Sequence, residues 1–129
     1  MNQFDLKNKV AVITGGAQGF GFDIAKKFLK FGALKVIIWD NDKTQLESAA
    51  QKINNSKLSY NRVDVSNFEE VNKTVIEITS SSNIDILINN AGITGSTSTV
   101  WDYDVNEWNK IVQINLMGTF YCCKSIVPN

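Results

Sequence analysis

TGGAQGFG, Thr14 to Gly21, places four of the chain's eight glycines in eight consecutive positions, directly after the apolar run Val10-Ala11-Val12-Ile13. Glycine loses more backbone entropy on folding than any other residue, so such a cluster needs a physical reason. Here it ends a strand-like run and opens a segment, 20–31, in which Gly21, Ile24, Ala25 and Phe28 share one face at helical spacing. The first turn of such a helix presents unpaired N–H groups and a positive partial charge, and a pyrophosphate fits there if no Cβ intervenes. Gly15 allows the tight turn, Gly19 the close approach of the phosphates, and Gly21 the packing of helix on sheet. Gln18 and Phe20, between the glycines, join the same binding set. A tight turn alone needs fewer glycines.

Working outward, strand-like runs alternate with helical patterns. Strands are expected at 9–14, 34–40, 58–63 and 84–89, three of them as continuous Val/Ile-rich runs suited to a sheet buried on both faces. Helices are expected at 20–31, 43–54, 67–80 and from about 104 to 125. Asp42 with Gln45, Ser66 with Glu69, and Asp104 with Glu107 read as their N-terminal caps. The βαβαβαβα order implies right-handed crossovers and a Rossmann-like, doubly wound parallel sheet. There is no internal repeat, low-complexity tract or linker, so residues 1–129 read as one α/β nucleotide-binding domain.

Composition narrows the function. Thirteen basic and thirteen acidic residues give zero formal charge, and the lysines are scattered, which argues against a nucleic-acid partner. Apolar runs reach about four residues, far from the ~20 that cross a bilayer, and the start MNQFDLKNK lacks a signal-peptide core. The only cysteines, Cys122 and Cys123, are adjacent and poor disulfide partners, which fits a reducing, cytoplasmic setting. They read as helix-packing residues. Histidine is absent, which removes Ser-His-Asp and Cys-His nucleophiles and histidine-ligated metal sites; no metal is expected.

Asp40 ends the second strand, nineteen positions after Gly21. A carboxylate there accepts hydrogen bonds from the adenosine ribose hydroxyls and repels the extra phosphate of NADP, so NAD is expected rather than NADP. The bland alternative is an exposed cap shared with Asp42. A glycine loop and an acid after the second strand also occur in Rossmann-like methyltransferases, and the segment after the fourth strand discriminates between the two classes.

That segment reads ILINNAGITG. With it, the chain resembles the classical short-chain dehydrogenase/reductase family. Thr14, Gly15, Gly19 and Gly21 match the family's TGxxxGxG; Asn89-Asn90-Ala91-Gly92 match its NNAG; Asp64-Val65 match the acidic-apolar pair beside the adenine; Asn115 matches the helix asparagine of its catalytic tetrad. The resemblance implies cofactor-binding roles for Asp64, Val65, Asn89, Ala91 and Gly92, a catalytic role for Asn115, and hydride transfer between nicotinamide and a carbonyl or alcohol carbon of a small molecule: a 3-oxoacyl group, a sugar or a small alcohol.

Asn115 also admits a plain reading. It falls in mid-face of a helix with Trp108, Ile111, Val112, Thr119 and Cys122, and a buried amide must find partners. A backbone carbonyl across the helix–sheet contact would serve; the resemblance implies instead a distorted helix that holds a water for a proton relay. The polar, aromatic stretch 96–104 borders the substrate pocket in relatives, and its Trp101 and Tyr103 either line a site or cover the start of the last helix.

The pattern breaks at the family's proton donor, a tyrosine followed four positions later by lysine. Tyr60 is followed by Asp64, Tyr103 by Glu107 and Tyr121 by Ser125. The chain is therefore expected to be the amino-terminal, cofactor-binding part of such an enzyme, with strand order 3-2-1-4, an uncovered fourth-strand edge, and nucleotide affinity without turnover. An open edge and an uncovered helix face invite association, so marginal stability and self-association are expected, with a homo-oligomer in the full-length form. The second class of reading is an inactive nucleotide-binding or assembly module.

Overall fold

The computed structural model describes residues 4–129. Four parallel strands, β1 (Val10–Thr14), β2 (Lys35–Asp40), β3 (Leu58–Arg62) and β4 (Ile86–Ile88), form one sheet in the order β3-β2-β1-β4. Helices α1 (Gly19–Lys30), α2 (Lys43–Ile53) and α3 (Phe68–Thr79) connect them, and α4 (Val105–Val112) and α5 (Gly118–Ile126) follow β4. This is the expected Rossmann-like arrangement.

The sequence explains the layering. All five residues of β1 are buried, because both faces of the central strands are covered. Side chains then alternate between two cores. Val12, Ile37, Trp39 and Val63 face the side carrying Val71 and Val75 of α3 and Cys122 and Ile126 of α5. Ile13, Val36 and Ile38 face Ala25 of α1 and Leu46 and Ala49 of α2. The register places Val12 beside Ile37 on one side and Leu87 on the other, so the strand ends that follow Thr14, Asp40, Arg62 and Ile88 emerge along one edge. The edge strands are less covered: β4 pairs only with β1, and its three residues are half-buried.

Two caps are as the pattern predicts. The Gln45 N–H donates to Asp42 Oδ1 (3.0 Å) and the Glu107 N–H to Asp104 Oδ1 (2.8 Å). The third is shifted by one residue. Asn67, not Ser66, caps α3, with the Glu70 N–H donating to Asn67 Oδ1 at 3.2 Å, because Asp64 engages both polar groups of Ser66. The last helix is interrupted: a π-helical turn, Gln113–Met117, separates α4 from α5. The fourth strand is also shorter than expected. Asp85, just before it, donates its N–H to the Val10 carbonyl at 2.9 Å and accepts the Val10 N–H on its side chain at 2.8 Å.

Candidate functional site

The site starts where β1 stops. Gly15 and Gly19 have φ of +62° and +56°, the left-handed region that side-chain-bearing residues rarely adopt. Gly16 serves packing: a Cβ there would lie 2.6 Å from Ile38 Cβ, a contact that nothing in the motif foretells. Gly21 is buried, but its close neighbours are the Gly15 carbonyl and the Asn90 amide. It therefore brings the helix against its own loop rather than against the sheet. A Cβ on Gly19 would meet nothing within 4 Å, so that position is open. Gln18, the residue before α1, makes no side-chain cap, and the first turn of α1 carries no acidic residue. Phe20, in that turn, is 85% exposed.

Thr14 and Asn90 tie this loop to the end of β4. Thr14 Oγ1 accepts the N–H groups of Asn90 (3.0 Å) and Ala91 (2.9 Å), and the Asn90 amide donates to the carbonyls of Thr14 and Gly15, both at 3.0 Å. Asn90 thus joins the site as a clamp, which the motif alone did not distinguish from Asn89. Asn89 points elsewhere: it is exposed, and its amide donates to Cys123 Sγ at 3.4 Å.

Between these elements lies a cleft of about 290 Å³. Of the sequence-predicted residues, Gly15, Gln18, Asp40, Asp64, Val65, Ala91 and Gly92 line it, joined by Trp39, Asn41, Val63, Asn90, Ile93 and Ile114. Gly19, Phe20, Gly21, Asn89 and Asn115 lie outside this lining. Asp40 is half-buried at the end of β2, and one of its oxygens accepts the Asp42 N–H at a long 3.3 Å. Asp64 Oδ1 accepts the Ser66 N–H (2.9 Å) and hydroxyl (2.6 Å). Asp40 and Asp64 are the only charged side chains in the lining.

Asn115 lies in the π turn, and its amide faces the loop after NNAG. Oδ1 accepts the Ile93 N–H and Nδ2 donates to the Ile93 carbonyl, both at 2.9 Å. Both readings of Asn115 thus have a counterpart: a backbone partner and a distorted helix. The expectation of burial does not hold, since Asn115 is exposed. Beyond it, Glu107 Oε1 accepts the N–H and hydroxyl of Ser96, both at 2.9 Å, and the Tyr103 hydroxyl packs on Gly95. Desolvation, with the Glu107 carboxylate nearby, pushes the Tyr103 hydroxyl above its usual range. Tyr103 stacks edge-on against Trp108, so it covers the start of the last helix, while Trp101 is 79% exposed. Cys122 is buried and its thiol is pushed up to about 12 by that burial, consistent with a packing role.

A parallel sheet with a glycine loop after β1, a carboxylate after β2 and an asparagine clamp after β4 defines a Rossmann-type nucleotide fold. The family model described as short chain dehydrogenase matches residues 9–129, and the chain belongs to that family. It is 36% identical over 126 residues to the 3-oxoacyl-[acyl-carrier-protein] reductase FabG of Chlamydia muridarum, covering 95% of this chain and 50% of that protein. Two solved structures resemble it closely. The 3-ketoacyl-(acyl-carrier-protein) reductase of Brucella melitensis, complexed with NADH, superposes with a TM-score of 0.89 at 34% identity, over 96% of this chain and 51% of that one. The L-sorbose reductase of Gluconobacter frateurii, complexed with NADPH and L-sorbose, gives 0.87 at 31% identity, over 98% and 49%. The chain spans about half the length of the relatives it matches. Among the described residues, no helix is long and apolar enough to cross a membrane.

Proposed function

We propose that the chain carries the NAD-binding site of a short-chain oxidoreductase acting on a 3-oxoacyl, sugar or small alcohol substrate. The observation that carries the cofactor preference is the charge of the cleft: its lining holds two carboxylates, Asp40 and Asp64, and no lysine or arginine. A ribose bearing free hydroxyls suits carboxylate acceptors, whereas a ribose phosphate would meet like charge. The residues present fit a dinucleotide. Gly19 leaves space where a side chain would intrude, and the mouth of α1 carries neither an acidic side chain nor a side-chain cap to compete for its N–H groups.

On this reading Gly15, Gln18, Gly19, Phe20 and Gly21 form the diphosphate end, Asp40 holds the adenosine ribose, and Asp64 and Val65 border the adenine. Ala91 and Gly92 belong to the opposite wall, and Asn89 lies beside it outside the lining. When bound, the nicotinamide would exchange a hydride with the carbonyl or alcohol carbon. Asn115 acts by position, because both polar atoms of its side chain are engaged by Ile93. A second reading, nucleotide binding without turnover, rests on the lack of any Tyr-x-x-x-Lys within these 129 residues. A cytoplasmic setting and self-association of the full-length protein complete the proposal. Calorimetric titration of the folded chain tests it: NAD should bind more tightly than NADP, and Asp40→Ala should narrow the ratio by about tenfold, the effect of ~1.4 kcal/mol of lost discrimination. Absence of heat with NAD, or an unchanged ratio in the variant, would sink the reading.

A further inference from the structure

We infer that Glu70, on the first turn of α3, is a positioning residue that sets the adenine end of the cleft; the inference rests on the cofactor reading above. Glu70 is outside the cleft lining. Its Oε2 accepts the backbone N–H of Asp64 at 3.0 Å. That N–H needs a partner from outside the sheet. β3 is an edge strand, and the preceding N–H, that of Val63, already points inward to the Asp40 carbonyl at 2.9 Å. Successive strand N–H groups point to opposite sides, so the Asp64 N–H faces away from β2, where no strand pairs with it.

The backbone that carries this carboxylate is itself held in place. The Glu70 N–H donates to Asn67 Oδ1 at 3.2 Å, and its carbonyl accepts the Thr74 hydroxyl at 2.8 Å. With its N–H fixed, Asp64 turns its own carboxylate onto Ser66, and Val65 is pressed against Gly118, where a Cβ would lie 2.8 Å from Val65 Cγ2. Glu70 therefore anchors from behind the stretch whose front, Val63 to Val65, walls the cleft. A bond from a backbone N–H to a carboxylate is stronger than one to a neutral acceptor. The other oxygen, Oε1, is 4.0 Å from Arg62 Nη1, and both side chains are well exposed, so that pair contributes little.

The test compares Glu70→Ala, Glu70→Gln and Arg62→Ala in the full chain, with NAD and ADP-ribose titrated calorimetrically and Asp64 amide exchange followed by NMR. Glu70→Ala should weaken both ligands by about five- to tenfold, the loss expected for one hydrogen bond. It should also unprotect the Asp64 amide. Glu70→Gln, which keeps an acceptor, should restore most of the affinity and the protection, and Arg62→Ala should change neither. Unaltered affinity in a folded Glu70→Ala protein overturns the inference, as does weakened affinity with the Asp64 amide still protected. Should the alanine variant fail to fold, an unprotected Asp64 amide in the parent chain does the same. A parent chain that binds neither ligand instead removes the cofactor reading, and this inference with it; binding by the parent with an indifferent Glu70 removes this inference alone.

Discussion

On the β1–β2 side of the cleft, backbone builds the wall; on the β4–α4 side, side chains do. The glycine loop is shaped by two positive φ values and by contacts so close that Gly16 and Gly21 leave no room for a Cβ. It rests on β1, buried throughout, and on the buried centre of β2. The opposite wall, Asn90 to Ile93 with Ile114, runs on into an exposed loop, 94–100, and the stretch is pinned at discrete points by Asn115 on Ile93 and Glu107 on Ser96. The first construction cannot yield locally without disturbing the core. The second can be released one hydrogen bond at a time. A cleft made of one fixed and one releasable wall suits a ligand held firmly at one end and worked on at the other.

Substituting one residue in each wall tests the contrast, and the larger effect belongs to the backbone wall. Gly16→Ala puts a methyl 2.6 Å from Ile38 Cβ, within the buried face shared with α1 and α2. Overpacking of this kind costs about 2–3 kcal/mol, read as a lower denaturation midpoint for the whole domain. A midpoint equal to the parent's would show that the loop yields and that the two walls do not differ. Gly19→Ala is the internal control, since its Cβ meets open space and only the backbone conformation resists.

In the side-chain wall, Asn115→Ala removes a paired donor and acceptor at an exposed position. The global cost should be about 1 kcal/mol, because water can replace both partners. The local effect should be larger: exchange of the Ile93 amide should speed by an order of magnitude or more while amides of β1 and β2 stay protected. Uniform acceleration across the sheet would show that this wall, too, is part of the cooperative core.

How far the sequence foretold these walls follows the same division. The strands were legible because consecutive residues such as Val12 and Ile13 are both apolar and so need cover on both faces, a demand written in the residue types themselves. The tight turn at Gly15 was legible for a similar reason, since positive φ selects glycine. Gly16 and Gly21 were harder: what excludes their Cβ atoms is a partner distant in sequence. The cap of α3 was misplaced because Ser66-x-x-Glu69 and Asn67-x-x-Glu70 are equally good patterns, and only the demand of Asp64 on Ser66 selects the second. The π turn left no mark in the periodicity, as Gln113-Ile-Asn-Leu-Met117 is ordinary helical sequence, and only the resemblance at Asn115 implied a distorted helix. Periodicity put Asn115 on an apolar face without showing that the residue stays exposed there. Glu70 was invisible because its partner is a backbone N–H, which has no residue type.

The smallest expected effect separates the two ends of β4, which are both fastened to β1 by side chains of different chemistry. At the far end Thr14 and Asn90 do so with neutral groups. At the near end Asp85 does so with a carboxylate that accepts the Val10 N–H and lies 3.5 Å from Lys9 Nζ. The Val10 hydrogen bond, with help from Lys9, holds the Asp85 carboxyl below its usual value of 3.8. A carboxyl depressed in the folded state lends stability above its unfolded pKa and loses it as pH falls through the folded one. The denaturation midpoint should therefore decline as pH drops below about 4, the unfolded value for an aspartate. Asp85→Asn should flatten part of that decline. A remainder should persist, because the Lys26 hydrogen bond and charge depress Asp23 in the same way. Amide exchange should localise the acid effect at Val10 and leave Asn90 and Ala91 protected, because their acceptor, the Thr14 hydroxyl, does not titrate in that range. If both ends of β4 loosened together on acidification, its two fastenings would be one cooperative unit rather than two.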